Sequence, residues 1–138
     1  MKLFLDANVL ISVLNKEYPV YTYSSRVLSL LDNSKFQVYT SPLCLAIAFY
    51  FAEKKHGSAQ ARHKINILIE KLRFTSIDER TVLEVGKNKK IHDFEDGLQY
   101  YSALDSKCSV IITEDRNDFY FSEIEVLPSR QFLEQYVF

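Results

Sequence analysis

Carboxylates stand at three well-separated points of this chain, each at a place where oxygen chemistry is expected. Asp6 follows the apolar run Leu3-Phe4-Leu5. Asp93 and Asp96 fall within Asp93-Phe94-Glu95-Asp96. Asp115 and Asp118 follow Ile111-Ile112-Thr113. Each group lies where a predicted strand ends or a predicted helix begins, and open α/β sheets bind ligands outside the carboxyl ends of their strands. Gathering such groups is costly without a cation: two like charges about 4 Å apart repel by about 4 kcal/mol at an effective dielectric of about 20. A hard divalent cation takes oxygen ligands, keeps several waters and is often held by one or two carboxylates plus substrate phosphate. Mg²⁺ and Mn²⁺ both accept such ligands. A bound cation activates water and stabilises the attacking and leaving oxygens of an in-line displacement. The pattern therefore points to phosphodiester hydrolysis at a carboxylate site, with the Thr113 hydroxyl free to serve a carboxylate, a phosphate or a water.

Every one of these residues also has a purely structural use. Asp6 can cap the following helix, although Asn8 can do so instead and leave Asp6 free. Asp93, Asp96 and Tyr100 recur at i, i+3 and i+7 and share one helix face. Phe94, Leu98 and Tyr101 form an apolar stripe, and Glu95 falls with Gln99 and Ser102 on what reads as the solvent face. The helix dipole explains acids in a first turn, but it explains Asp93 and Glu95 better than Asp96. Asp115 or Asp118 can satisfy backbone N–H groups in a polar turn.

Positioning these groups requires strands alternating with helices. Lys2–Leu5 reads as a buried strand, followed by a helix carrying Val9, Leu10, Val13 and Leu14 that ends before Tyr18-Pro19. A helix is predicted over Thr22 to Leu31, and a strand over Phe36 to Tyr39. Ser41-Pro42 has the capping and first-turn pattern of a helix that runs to about Lys55 and is apolar enough to be buried. Beyond Gly57-Ser58, Ile65, Leu68, Ile69 and Leu72 repeat at helical spacing. A short strand is predicted over Phe74 to Ile77, then a short helix ending near Gly86. A basic loop (Lys87 to Lys90) leads to a helix from Asp93 to about Ser106. Ser109 to Ile112 has the β-branched, apolar character of a buried parallel strand. Glu125 to Leu127 is a fifth strand, and Pro128-Ser129 starts a last helix. The expectation is a single α/β domain over residues 1–138: three α/β/α layers around a central, mostly parallel sheet of about five short strands.

Composition narrows the function. The 138 residues carry a net charge of −1, which is not the footprint of a strongly basic nucleic-acid binder, though a carboxylate site itself lowers the net charge. Basic residues cluster at Lys54-Lys55, Arg62-His63-Lys64 and Lys87-Asn88-Lys89-Lys90. They read as solvated faces or as phosphate contacts, and Lys54, Lys55 and the Lys87–Lys90 loop are the candidates for such contacts. Cys44 and Cys108 sit in apolar surroundings and read as reduced core residues. No apolar run approaches the roughly 20 residues that span a membrane, and no secretory signal precedes the first strand, so a cytoplasmic protein is expected. The three glycines form no phosphate loop, and there is no nucleophile elbow. A phosphoacceptor domain needs an acidic pair near the first strand and a lysine after a late one, and both are missing.

The ordered set of segments resembles the PIN domain family, the ribonuclease fold that includes the VapC toxins. The resemblance is carried by Phe4-Leu5-Asp6-Ala7-Asn8, Ser41-Pro42-Leu43, Asp96-Gly97-Leu98-Gln99-Tyr100-Tyr101, Ile111-Ile112-Thr113-Glu114-Asp115 with Asp118-Phe119, and Val126-Leu127-Pro128. The stretch Asp93 to Asp96 is similar to that of a bacterial subgroup. The resemblance implies that Asp6, Asp96 and Asp115 hold metal, that Asp93 and Asp118 assist, and that Thr113 acts close to them. It implies an Mg²⁺- or Mn²⁺-dependent endoribonuclease, an antitoxin partner whose tail enters the acidic groove, and a homodimer. Leu10, Val13, Val27, Leu30 and Tyr50 are candidates for the dimer face, with ordinary core packing as their other role. One family position departs: the glutamate expected six residues after Ser41 falls on Ile47. That departure keeps a second expectation open, a degenerate PIN domain that binds protein or RNA without cleaving it.

Overall fold

The computed structural model describes residues 1–138. The chain begins with β1 (Lys2–Leu5), α1 (Ala7–Leu14) and α2 (Tyr21–Leu28). It continues through β2 (Gln37–Thr40), α3 (Pro42–His56), α4 (Ser58–Lys71), β3 (Arg73–Phe74) and α5 (Glu79–Lys87). It ends with α6 (Phe94–Asp105), β4 (Val110–Ile112), β5 (Glu125–Leu127) and α7 (Ser129–Tyr136). The five strands form one sheet in the order β3-β2-β1-β4-β5, and every pairing is parallel. Helices pack around the sheet to give the expected three layers: α1 lies against α2 and α3, α3 against α4, α2 against α7, and α5 against α6.

Burial follows the strand sequences. Leu3, Phe4, Leu5, Ile111 and Ile112 are completely buried, as neighbouring central strands covered on both faces must be. They anchor one core cluster of 28 buried residues. The chain reverses direction of wind at β1: β2 and β3 lie on one side, β4 and β5 on the other. The crevice between the carboxyl ends of β1 and β4 is the switch point of the sheet, where ligands of open α/β folds bind.

Four expectations need correction. The third strand is Arg73–Phe74 rather than Phe74 to Ile77. Only the backbone of Thr75 continues the pairing, donating to Thr40 O at 2.9 Å. The second helix stops at Leu28, and a 3-10 turn over Ser29–Asp32 completes the segment read as helix. α3 is not buried throughout: Cys44, Ala48 and Ala52 form its inner line, while Tyr50 and Phe51 are 52% and 43% exposed. The face of α6 read as solvent-exposed holds only at Glu95, because Gln99 and Ser102 are completely buried. Of the candidate dimer residues, Leu10, Val27 and Leu30 belong to the core. No helix is long and apolar enough to cross a membrane. Both cysteines are free and buried.

Candidate active site

Asp6 is placed by β1 and held on both oxygens. Its Oδ1 accepts from the Ala7 N–H at 2.8 Å, so Asp6 itself caps α1. The Cys44 thiol lies 3.7 Å from the same oxygen. Oδ2 accepts from the Thr113 hydroxyl at 2.9 Å. Burial pushes the Asp6 carboxyl up from its ordinary value, against the opposing pull of the Thr113 and Ala7 hydrogen bonds.

Thr113 follows β4 and ties the two central strands together at their carboxyl ends. Its hydroxyl donates to Asp6 and accepts from Asn8 Nδ2 at 2.9 Å and from the Asp115 N–H at 3.1 Å. Its hydrogen-bonding capacity is therefore filled within the protein, and in this geometry it positions Asp6. Asn8, which could have capped α1 in place of Asp6, is instead the hub of the site. Its amide nitrogen also reaches Asp115 Oδ2 at 3.1 Å, and its Oδ1 accepts from the Glu114 N–H at 3.1 Å. Glu114 turns away and accepts from the Ser129 N–H at the start of α7.

The facing acids come from α6 and from a 3-10 turn over Arg116–Phe119. Asp93 caps α6, its carboxylate accepting from the Asp96 N–H at 3.3 Å. Asp96 is half-buried, and its carboxyl is pushed up to about 7 by desolvation, then by the charges of Asp93, Asp118, Asp6 and Glu95. Asp118 is raised by desolvation and by Asp115 and Asp93. Asp6, Asp93, Asp96, Asp115 and Asp118 are thus electrostatically one cluster. The only ion pairs of the molecule, Arg80–Asp105 and Arg130–Glu134, involve none of them.

Glu95 is exposed, as the sequence suggested, although its carboxyl is raised by desolvation and by the charges of Asp93 and Asp6. The residues one and two turns further on differ. Gln99 accepts a hydrogen bond from the Ser41 hydroxyl, and Ser102 accepts from Thr75 Oγ1 at 3.0 Å. These polar pairs bury Gln99 and Ser102, while Glu95 in the first turn stays exposed.

Ile47, at the position where a glutamate was expected, packs against the core as a half-buried residue. The basic candidates divide. Lys55 donates to Asn15 O at 2.6 Å at the far end of α1, and 15-residue α3 carries it and Lys54 about 20 Å from the crevice. The Lys87–Lys90 loop, by contrast, leads directly into Asp93.

Asp6, Asp93, Glu95, Asp96, Asp115 and Asp118 offer oxygen donors alone, with unneutralised negative charge, and this donor chemistry fits a hard divalent cation. No three His, Cys, Asp or Glu side chains come together as a complete metal-ligand set. The family model described as "PIN domain" matches residues 2–117. This chain belongs to the PIN domain family. Ribonuclease VapC1 of Aquifex aeolicus (strain VF5) is 29% identical over 139 residues, covering 98% of this chain and 95% of that protein. VapBC2 from Rickettsia felis, solved bound to a DNA fragment from the promoter, is similar in fold with a TM-score of 0.69 at 19% identity over 92% of this chain and 97% of that one. VapBC-1 from nontypeable Haemophilus influenzae gives 0.69 at 22% identity, covering 94% of this PIN domain and 99% of that chain. The sarcin-ricin loop cleaving toxin VapC20 of Mycobacterium tuberculosis gives 0.64 at 11% identity, covering 79% and 86%.

Proposed function

We propose that this PIN domain is a divalent-metal-dependent endoribonuclease, the toxin of a toxin–antitoxin pair, acting in the cytoplasm as a single domain over residues 1–138. One observation carries the reading: a cluster of carboxylates at the sheet's switch point that no lysine or arginine neutralises. The likeness to Ribonuclease VapC1 supports RNA as the substrate, and the likeness to VapBC structures supports an antitoxin partner.

Asp6, Asp96 and Asp115 hold Mg²⁺ or Mn²⁺ directly or through water, and Asp93 and Asp118 add charge at the rim. Glu95 supplies the carboxylate that Ile47 does not. A cation bound there lowers the pKa of a coordinated water and stabilises the charge of phosphodiester displacement. Thr113 and Asn8 fix the Asp6 and Asp115 carboxylates by hydrogen bonds, which spares the site reorganisation during reaction. The Lys87–Lys90 loop attracts the RNA backbone, a contribution that weakens with salt. Homodimerisation is the natural use of the exposed Tyr50 and Phe51 on α3.

A second reading, a PIN domain that binds RNA or protein without cleaving it, draws on Ile47. RNA cleavage by wild type and Asp96→Asn, each with Mg²⁺, Mn²⁺ or EDTA, separates the two. Metal-requiring cleavage that Asp96→Asn abolishes supports the nuclease. A folded, antitoxin-free wild type that cleaves nothing with either metal supports the binding module.

A further inference from the structure

Beside the acidic crevice, the protein builds a second recess from two segments that each carry a site acid. One is Lys89 to His92, immediately before Asp93. The other is Tyr120 to Glu123, two residues after Asp118. Lys89, Lys90, His92, Tyr120, Phe121 and Glu123 line a cavity of about 480 Å³.

Its wall is aromatic and open. Tyr120 is 56% exposed, yet its orientation is fixed. The His92 ring stacks on it at 5.7 Å with an interplanar angle of 29°. Phe121 meets it edge-on at 5.3 Å. The Tyr120 hydroxyl accepts from the His92 N–H at 3.2 Å and donates to the Lys90 carbonyl. The basic loop behind it is pinned in turn: Asn88 Oδ1 accepts from the Lys90 N–H at 3.0 Å, and Asn88 Nδ2 donates to the Tyr101 hydroxyl at 3.1 Å. Glu123 is held through its N–H, which donates to the Tyr100 hydroxyl at 3.2 Å. A large exposed aromatic that is rigid, stacked and flanked by two lysines without ion-pair partners has the composition of a platform for unpaired bases.

We propose that His92 and Tyr120 form a stacking shelf for one unpaired nucleobase of a single-stranded RNA, with Lys89 and Lys90 on its phosphates. This rests on the ribonuclease reading and deepens it. Two residues of chain span at most about 7 Å, so Tyr120 sits close beside the Asp118 rim. A base held there sets the strand's register across the carboxylates. Stacking tolerates every base, so the shelf selects unpaired over paired RNA rather than one sequence. Glu123, an acceptor on the same wall, faces donor groups on the base edge.

The test is equilibrium binding of a fluorescent single-stranded RNA oligonucleotide in EDTA, where nothing is cleaved, to wild type, Tyr120→Ala, Tyr120→Phe, His92→Ala and a Lys89→Ala/Lys90→Ala double variant. Tyr120→Ala is expected to weaken binding about tenfold, the size of a lost stacked base, and His92→Ala to weaken it in the same direction. Tyr120→Phe keeps the ring but loses the hydroxyl that pins the loop, and it is expected to bind like wild type. The lysine variant should flatten the salt dependence by about 0.7 per charge removed. Equal binding by wild type and Tyr120→Ala overturns the shelf. So does a loss in Tyr120→Phe as large as in Tyr120→Ala, since the ring then serves only to tie the loop. A wild type that cleaves with metal while the Tyr120 and His92 variants bind unchanged sinks the shelf alone. A wild type that neither binds nor cleaves RNA sinks the ribonuclease reading and the shelf with it.

Discussion

At the scale of single residues, Asp96 carries the clearest consequence of burying a carboxyl and then surrounding it with others. Without a cation its carboxyl sits at about 7, against an ordinary 3.8. Between those values the folded protein holds a proton that the unfolded chain has released, so stability falls as pH rises through this window. The penalty is absent below the ordinary value and complete above about pH 7. Asp6, Glu95 and Asp118 shift in the same direction and add to the slope. Asp96→Asn removes this titration. In EDTA it is expected to be more stable than wild type at pH 8, by about 1 kcal/mol after screening of a half-exposed group, with the gain fading toward pH 4. Urea denaturation across pH measures the gap. A gap constant with pH would show that neither desolvation nor repulsion of the ionised carboxyl at this position strains the fold.

Elements were legible in the sequence wherever local chemistry decides them. The central strands announce themselves as continuous apolar runs, Leu3 to Leu5 and Val110 to Ile112. Ser41-Pro42 and Asp93 mark helix starts through capping that the structure repeats. What depends on partners distant in sequence was not legible. Gln99 and Ser102 look like surface residues until Ser41 and Thr75, more than 20 residues away, pair with them inside. The place of Asn8 in the site was hidden for a similar reason, since only the arrival of Thr113 and Asp115 gives its amide its partners. Gly97 gives a test of how tightly α6 is set. A Cβ there would lie 2.7 Å from Val85 Cγ1 and 3.0 Å from Ile91 Cγ2, so α5 and the basic loop approach α6 only because this residue is glycine. Alanine would gain about 1 kcal/mol of helix propensity but overpack the joint by about 1–3 kcal/mol. Gly97→Ala is expected to lower the urea midpoint and to weaken RNA cleavage by displacing the Lys87–Lys90 loop. A raised midpoint would mean that α5 yields without cost.

For the molecule as a whole, the sheet and the site impose opposite demands. The parallel sheet brings the ends of β1 and β4 together, with α6 facing them, and so forces charges into one crevice that the apolar core must hold against repulsion. A divalent cation relieves that repulsion, so binding it should stabilise the entire fold rather than a loop. A ligand at a hundred times its dissociation constant adds about 2.7 kcal/mol to folding stability. Because the ligands bind cations only when ionised, Mn²⁺ competes with protons, above all at Asp96. The melting temperature is therefore expected to rise with Mn²⁺ at pH 8, to rise much less at pH 5.5, and to respond little in Asp96→Asn at either pH. Glu95→Gln distinguishes whether α6 supplies the carboxylate that α3 lacks at Ile47. If it does, the variant needs about tenfold more Mn²⁺ for the same shift, the usual cost of removing a supporting group around a metal. If Glu95→Gln follows the wild-type titration while Asp96→Asn does not, the cation sits without help from Glu95, and the loss of the α3 glutamate has gone uncompensated.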